Sequence, residues 1–155
     1  PHQIVLELHN GVHERPYRIT GAVCFDATDL NLAANMRDVT DMFVVPANNK
    51  DVDTFDAMAG TLSYHMYQHV LIVNTGEFGG SAVMAPYKER YERVLTHHHG
   101  GKHAAVSIVD IDLGDYQRVP EQTDEQRQSQ DNRRALKTAP AGYRRHRQQS
   151  QGERH

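Results

Sequence analysis

Tryptophan is absent, a single cysteine (Cys24) occurs in 155 residues, and aromatic residues make up only 7% of the chain. One cysteine leaves no internal disulfide, which excludes a small secreted scaffold held together by cross-links. Apolar runs are short, and none approaches the roughly 20 residues that a membrane-crossing helix needs. An excess of positive charge is also missing: 17 Lys and Arg stand against 20 Asp and Glu, a net of −3 with 11 His neutral. That balance argues against a protein that binds nucleic acid through its whole-molecule charge. The first residue is Pro1 rather than Met, so the lack of a leader carries no information about compartment. What is present is a 38% hydrophobic fraction over a length suited to one domain.

The charge is unevenly placed. Residues 1–120 hold nine basic and 15 acidic side chains, and residues 121–155 hold eight basic and five acidic. Beyond Pro120, Gln, Arg, Ser, Asp and Glu dominate and apolar residues nearly vanish. Such a segment cannot bury enough surface to offset chain entropy. A domain over 1–117 followed by a disordered polar and basic tail over 118–155 is expected. The cluster Tyr143 to Arg147 (YRRHR) within that tail reads as solvated, and a short helix is conceivable over 127–137.

The body alternates between strand and helix patterns. Strands are expected at 3–8, 17–25, 42–47, 70–75, 81–86 and 104–113, with a shorter one near 92–96. MFVVPA and VLIVNT are continuous apolar runs, the mark of strands buried on both faces. Helices are expected over 26–37, with Asp29 as cap, and over 54–68, where Phe55, Met58, Ala59, Leu62 and Met66 recur at helical spacing. This alternation predicts a layered α/β domain.

Cys24 lies where a strand runs out and a helix is about to begin. In α/β sheets that carboxyl end is where sites usually form, and the first N–H groups of the following turn can donate to an oxyanion. From spacing alone, a lone cysteine of this kind reads more readily as an inert buried thiol, because free cysteine is usually a small hydrophobe.

The order of segments adds to that reading. GAVCFDATDL, DMFVVPANN, HVLIVNTGEFGGSAVMAPY and VSIVDIDL follow one another. In that order the chain resembles the nitrilase, or carbon–nitrogen hydrolase, superfamily over about residues 17–114. The matching residues are Cys24, Phe25 and Asp26; then Val44, Val45, Pro46 and Ala47; then Asn74 and Gly76. Gly79, Gly80, Ser81 and Pro86 follow, and Ile111, Asp112 and Leu113 close the series. The resemblance implies the C-terminal part of a nitrilase-like αββα sandwich. It implies hydrolysis of a non-peptide C–N bond, amide or nitrile, with Cys24 as nucleophile and Phe25, Asn74, Glu77 and Gly80 in the substrate pocket. No cofactor and no metal are implied. The partners implied are a small amide or nitrile substrate and further copies of the chain, in the cytoplasm of a bacterium.

Two departures from the family pattern stand out. The family's catalytic Glu, Lys and second Glu normally precede the Cys, yet only 23 residues precede Cys24 and none is Lys. Glu7 and Glu14 are present there without the family's surroundings. The resemblance therefore implies that half of the domain lies outside this chain. An apolar sheet face would then be uncovered, and self-association is expected. The second departure is LSYHMYQH (62–69), which replaces the Arg-Ala and Glu often found before the Asn-ended strand. The stretches FVVPANNKDVDTFDAM and HMYQHVLIVNTGEFGG are also similar to the nitrilase-like domain joined to some bacterial reverse-transcriptase-like defence proteins. Such a fusion would bring nucleic acid as a partner of the larger protein, although no paired-Asp polymerase turn occurs here.

Other polar residues carry plainer expectations. His65 and His69 are four apart, but the Glu of an H-E-x-x-H zinc site is missing, so a buried or interfacial pair is expected. HHHGGKH (97–103) reads as a solvated turn with adventitious metal affinity. Glu77 reads as a loop carboxylate or a contact for a substrate amine, and Asp26 as a helix cap.

Overall fold

A computed structural model describes residues 3–9, 11, 16–101, 104–112 and 136–140. Six strands form one sheet in sequential order: β1 (Leu6–Leu8), β2 (Tyr17–Gly21), β3 (Met42–Pro46), β4 (His69–Val73), β5 (Gly79–Met84) and β6 (Val94–His99). β2, β3 and β4 run parallel, while β1, β5 and β6 each pair antiparallel with their neighbour. Two helices make the parallel crossovers, α1 (Leu30–Met36) and α2 (Val52–Met66). Asp29 caps α1 through the Asn31 N–H at 2.8 Å. Asp51 caps α2 through the Thr54 N–H.

Both helices lie on one face of the sheet. The core joins Ala33 of α1 and Phe55, Ala59, Leu62 and Met66 of α2 to alternate residues of the central strands: Phe43, Val45, Val70, Ile72, Ala82 and Met84. Burial of this stripe is the main term holding the domain together. The opposite face carries Ile19, Val44, Leu71 and Val73 in register, with Leu6 beside Ile19 on the edge. Leu6 is 60% and Val73 49% exposed. This face is open at its margins, whereas Tyr17, Met42, His69 and Val83 within it are buried.

Four local expectations are corrected. The helix expected through residue 68 stops at Met66, because Tyr67 takes a left-handed φ of 56°. His69 consequently opens β4 instead of sharing a helix face with His65, and it is buried whereas His65 is exposed. The helix expected from residue 26 begins as a 3-10 turn (Cys24–Thr28), so Asp26 is an exposed turn residue and makes no side-chain cap. His97, His98 and His99 are not a turn; they belong to β6, with His97 Nε2 2.6 Å from Asp56 Oδ2 on α2.

The strand expected over 104–113 is absent across 104–112, where Val106 and Ile108 are 92% and 94% exposed. β6 already occupies the adjoining sheet edge, so this stretch finds no ladder partner among the described residues. It runs back over the sheet face that carries His69 and His98 instead. Ser107 Oγ meets His98 Nε2, and Asp112 lies near enough to His69 to act on it electrostatically. Most of 118–155, including Tyr143 to Arg147, lies outside the described residues. Within it, 136–140 is tied to the body: Lys137 N–H donates to Pro86 O at 2.9 Å, and Leu136 bridges to Tyr87.

His69 makes the fold acid-sensitive. Burial lowers its pKa from 6.5 to about 4, and the Asp112 carboxylate only partly offsets this. Between those values the unfolded imidazole binds a proton that the folded one refuses. His69 therefore leaves stability intact above pH 6.5 and erodes it as pH falls toward 4, by up to roughly 2–3 kcal/mol. Urea midpoints for the parent and His69→Gln at pH 7 and pH 5 check this. The parent should lose more stability between the two than the variant does.

Candidate functional site

The carboxyl ends of β2, β3 and β4 share one edge of the sheet because these strands are parallel. The loops that leave this edge carry Cys24, Asn48, Asn49, Asn74 and Glu77. β2 comes to its end against β3: a Cβ on Gly21 would sit 2.1 Å from Val44 O, so no larger residue fits there. Ala22 N–H then donates to Val44 O, and the chain turns off the sheet.

Cys24 opens the turn with φ 51°, one of three non-glycine residues with positive φ among the described residues. Asp26 N–H donates to Val23 O at 3.0 Å, closing the 3-10 turn. Ala27 is buried and anchors it, while Cys24 is half-buried against the rim of the core. Phe25 and Val23 on either side are 77% and 65% exposed. The sharp turn thus lifts the sulfur to the sheet edge between two uncovered apolar side chains. No side chain among the described residues hydrogen-bonds to it.

A left-handed backbone at a residue with a Cβ costs roughly 1–2 kcal/mol relative to glycine. Cys24→Gly should therefore be more stable than Cys24→Ala, by about 1 kcal/mol after allowing for the freer unfolded chain of glycine. Both variants lose the same sulfur, so paired thermal melts isolate the backbone contribution. Equal stability would mean that the turn relaxes without cost.

Asn74 follows β4, and its side chain is fully committed. Its Oδ1 accepts from Asn49 N–H at 2.9 Å, and its Nδ2 donates to Asn49 O at 2.7 Å and to Gly79 O at 2.6 Å. Its own N–H donates to Ser81 Oγ at 2.9 Å. One amide therefore staples the β3–α2 loop to the β4–β5 turn. The resemblance put Asn74 in a pocket; in the fold its side chain bonds to the backbone of Asn49 and Gly79. Gly80, with φ 76°, lies against the start of α2, where a Cβ would meet Val52 Cγ1 at 2.5 Å. Its side is closed by that helix. Glu77 is exposed at the tip of the β4–β5 turn. Cys24 and Asn74 leave strands two apart, about 10 Å at ordinary strand spacing.

Asn49 was not singled out from the sequence, although it organises the edge. Its Oδ1 also accepts from Asp51 N–H at 2.8 Å, one step from the α2 cap. The signal was there in paired Asn residues between a strand and a helix, where short amides bond to nearby backbone. No group of three or more metal-ligating side chains occurs among the described residues. No helix among them is long and apolar enough to cross a membrane.

No family model matches the chain, and no curated protein sequence matches it. Among solved structures it is similar to XC1258 from Xanthomonas campestris, a CN-hydrolase superfamily protein whose structure carries an arsenic adduct in the active site. The TM-score is 0.52 at 16% identity, over 71% of this chain and 44% of that one. The chain thus has a mixed α/β fold like that of a CN-hydrolase and spans less than half the length of the similar structure.

Proposed function

We propose that this chain is the nucleophile-bearing part of a CN-hydrolase-type enzyme acting on a small amide or nitrile, with Cys24 as the catalytic residue. The observation that supports this best is the left-handed turn that presents Cys24 at the carboxyl edge of a CN-hydrolase-like sheet. In the reaction the sulfur forms a bond to the carbonyl or nitrile carbon. With an amide, the C–N bond breaks, the amine or ammonia departs with a proton, and water then cleaves the thioester to acid and free thiol. Phe25 and Val23 would line the apolar approach, and Glu77 would meet a polar end of the substrate. On this reading the proton acceptor for the thiol and the cation facing the oxyanion would be a Glu and a Lys of the kind the family pattern places before the Cys. The open sheet face is where that other half, or a second copy, would pack.

A second reading has its own support, because no side chain among the described residues hydrogen-bonds to Cys24. It makes the chain a non-catalytic nitrilase-like module of a larger polypeptide, such as a reverse-transcriptase-like defence protein. A panel of amides and nitriles, run on the polypeptide that includes the upstream sequence, separates the two. The enzyme reading expects turnover and, after rapid quenching, an acyl mass adduct on the peptide containing Cys24. Inertness across the panel overturns it in favour of the module.

A further inference from the structure

A second concavity lies on the helical side, away from Cys24. It is a groove of about 450 Å³ between α2 and the segment joining β5 to β6. Its volume falls in the range of small-molecule sites. Tyr64 and His65 of α2 line one end together with Arg90 and Arg93. Arg93 lies with its guanidinium carbon 5.3 Å from the Tyr64 ring centre, and Lys137 places its ammonium 3.9 Å from the same ring. Two cations therefore share one aromatic ring, and Arg90 stands exposed at the rim.

These cations are held in place without being neutralised. Arg93 donates through Nε to Tyr87 O and through Nη2 to Lys88 O, both uncharged carbonyls. Lys137 Nζ reaches only the Thr138 carbonyl, at 3.3 Å. Among the described residues no carboxylate is paired with Arg90, Arg93 or Lys137. Asp56 is the one acid lining the groove, eight residues along α2 from Tyr64 or about 12 Å at helical rise, and it is engaged by His97. The crowding shows in Lys137, whose pKa is lowered by burial and then by the charges of Arg93 and Arg37.

We propose that this groove binds a small phosphate-type oxyanion, such as a phosphate monoester, seated against Arg90 and Arg93 beside the Tyr64 ring, with the Lys137 ammonium over that ring adding positive charge. Cations gathered in a partly buried hollow cost electrostatic energy that a dianion would relieve. Arginine donors held by the protein are suited to a tetrahedral oxyanion. Arg93 retains Nη1 without a partner among the described residues, and Arg90 uses none of its donors there. The site is separate from the Cys24 edge, so it stands whether or not that edge is catalytic.

The test is titration of the full chain with inorganic phosphate and with glycerol 2-phosphate, followed by calorimetry and by the NMR signals of Tyr64 and His65. Saturable binding with shifts at both rings is expected. Arg90→Ala removes an exposed side chain that supports nothing in the fold, and it should weaken binding roughly tenfold, the size of one charge-assisted hydrogen bond. Lys137→Gln should do the same, and the double variant should bind no phosphate measurably. The near-ultraviolet circular dichroism of Arg90→Ala should match the parent. If sodium chloride at matched ionic strength reproduces the shifts, or if Arg90→Ala and Lys137→Gln bind like the parent, the proposal is wrong.

Discussion

The 155-residue chain by itself should react with iodoacetamide at Cys24 and yet show no measurable turnover of any amide or nitrile. Cys24 is partly exposed and packs against the rim of the core, flanked by the exposed Val23 and Phe25, which leaves it within reach of a small alkylating agent. Turnover is a different demand. A missing general base costs about 10²–10⁴ in rate, and a missing oxyanion donor about 10²–10³. Together they bring an ordinary turnover of about 10 s⁻¹ down to roughly 10⁻³–10⁻⁶ s⁻¹. A polypeptide that supplies the family's Glu and Lys should recover activity, and Cys24→Ala in it should lose at least roughly 10⁴-fold, as expected for a nucleophile. Retained amidase activity in that variant would show that another group attacks the substrate. Alkylation of the recovered polypeptide should also inactivate it in proportion to Cys24 modified, as the proposed nucleophile requires.

Much of the sheet was legible because its central strands are written in a simple code. Phe43 to Val45 and Val70 to Val73 are continuous apolar runs, and both prove to be parallel strands in the middle of the sheet. The α2 stripe of Phe55, Ala59, Leu62 and Met66 was equally plain, since the residues that face the sheet recur at the period of the helix. Failures came where a neighbour decides the outcome. Val106 and Ile108 have the alternation of a strand, but alternation reports a preference for an extended chain and cannot supply a partner edge. His97 to His99 looked like a polar turn, yet an edge strand needs only a backbone ladder, and β5 offers one. The end of α2 was missed because Tyr67, not a glycine, adopts the left-handed stop.

The candidate site divides in the same way. The turn carrying Cys24 was visible because strand and turn are local events, although the strand expected over 17–25 ends at Gly21, three residues before it. The cation cluster over Tyr64 was not, because Lys137 lies far along the chain from the ring it covers. Asn74 falls between these cases. An Asn at a strand end can meet a ligand or bond to backbone, and the bonds its amide makes to Asn49 and Gly79 depend on segments brought together only by the fold. Gly79 must be glycine for a separate reason: with φ 74° its Cβ would fall 2.0 Å from Gly100 N.

Replacing Asn74 by Asp should therefore destabilise the domain as much as replacing it by Leu, although Asp has the same shape. The carboxylate keeps the bond from Asn49 N–H but turns an acceptor toward two carbonyls that now receive donors. Each lost bond is worth about 1 kcal/mol, and the opposed oxygens add a further cost, for a total of about 3 kcal/mol. In a domain of this size that lowers the melting temperature by roughly 10 °C or more. Asn74→Leu removes all three side-chain bonds without adding repulsion and should fall in the same range. The two variants separate with pH. A protonated Asp can donate to one of the two carbonyls, so the Asp variant should narrow its gap to the parent as pH is lowered toward 4, while the Leu variant should not. If instead Asn74 serves only as a substrate contact, both variants will melt with the parent at every pH and differ only in turnover once the upstream half is supplied.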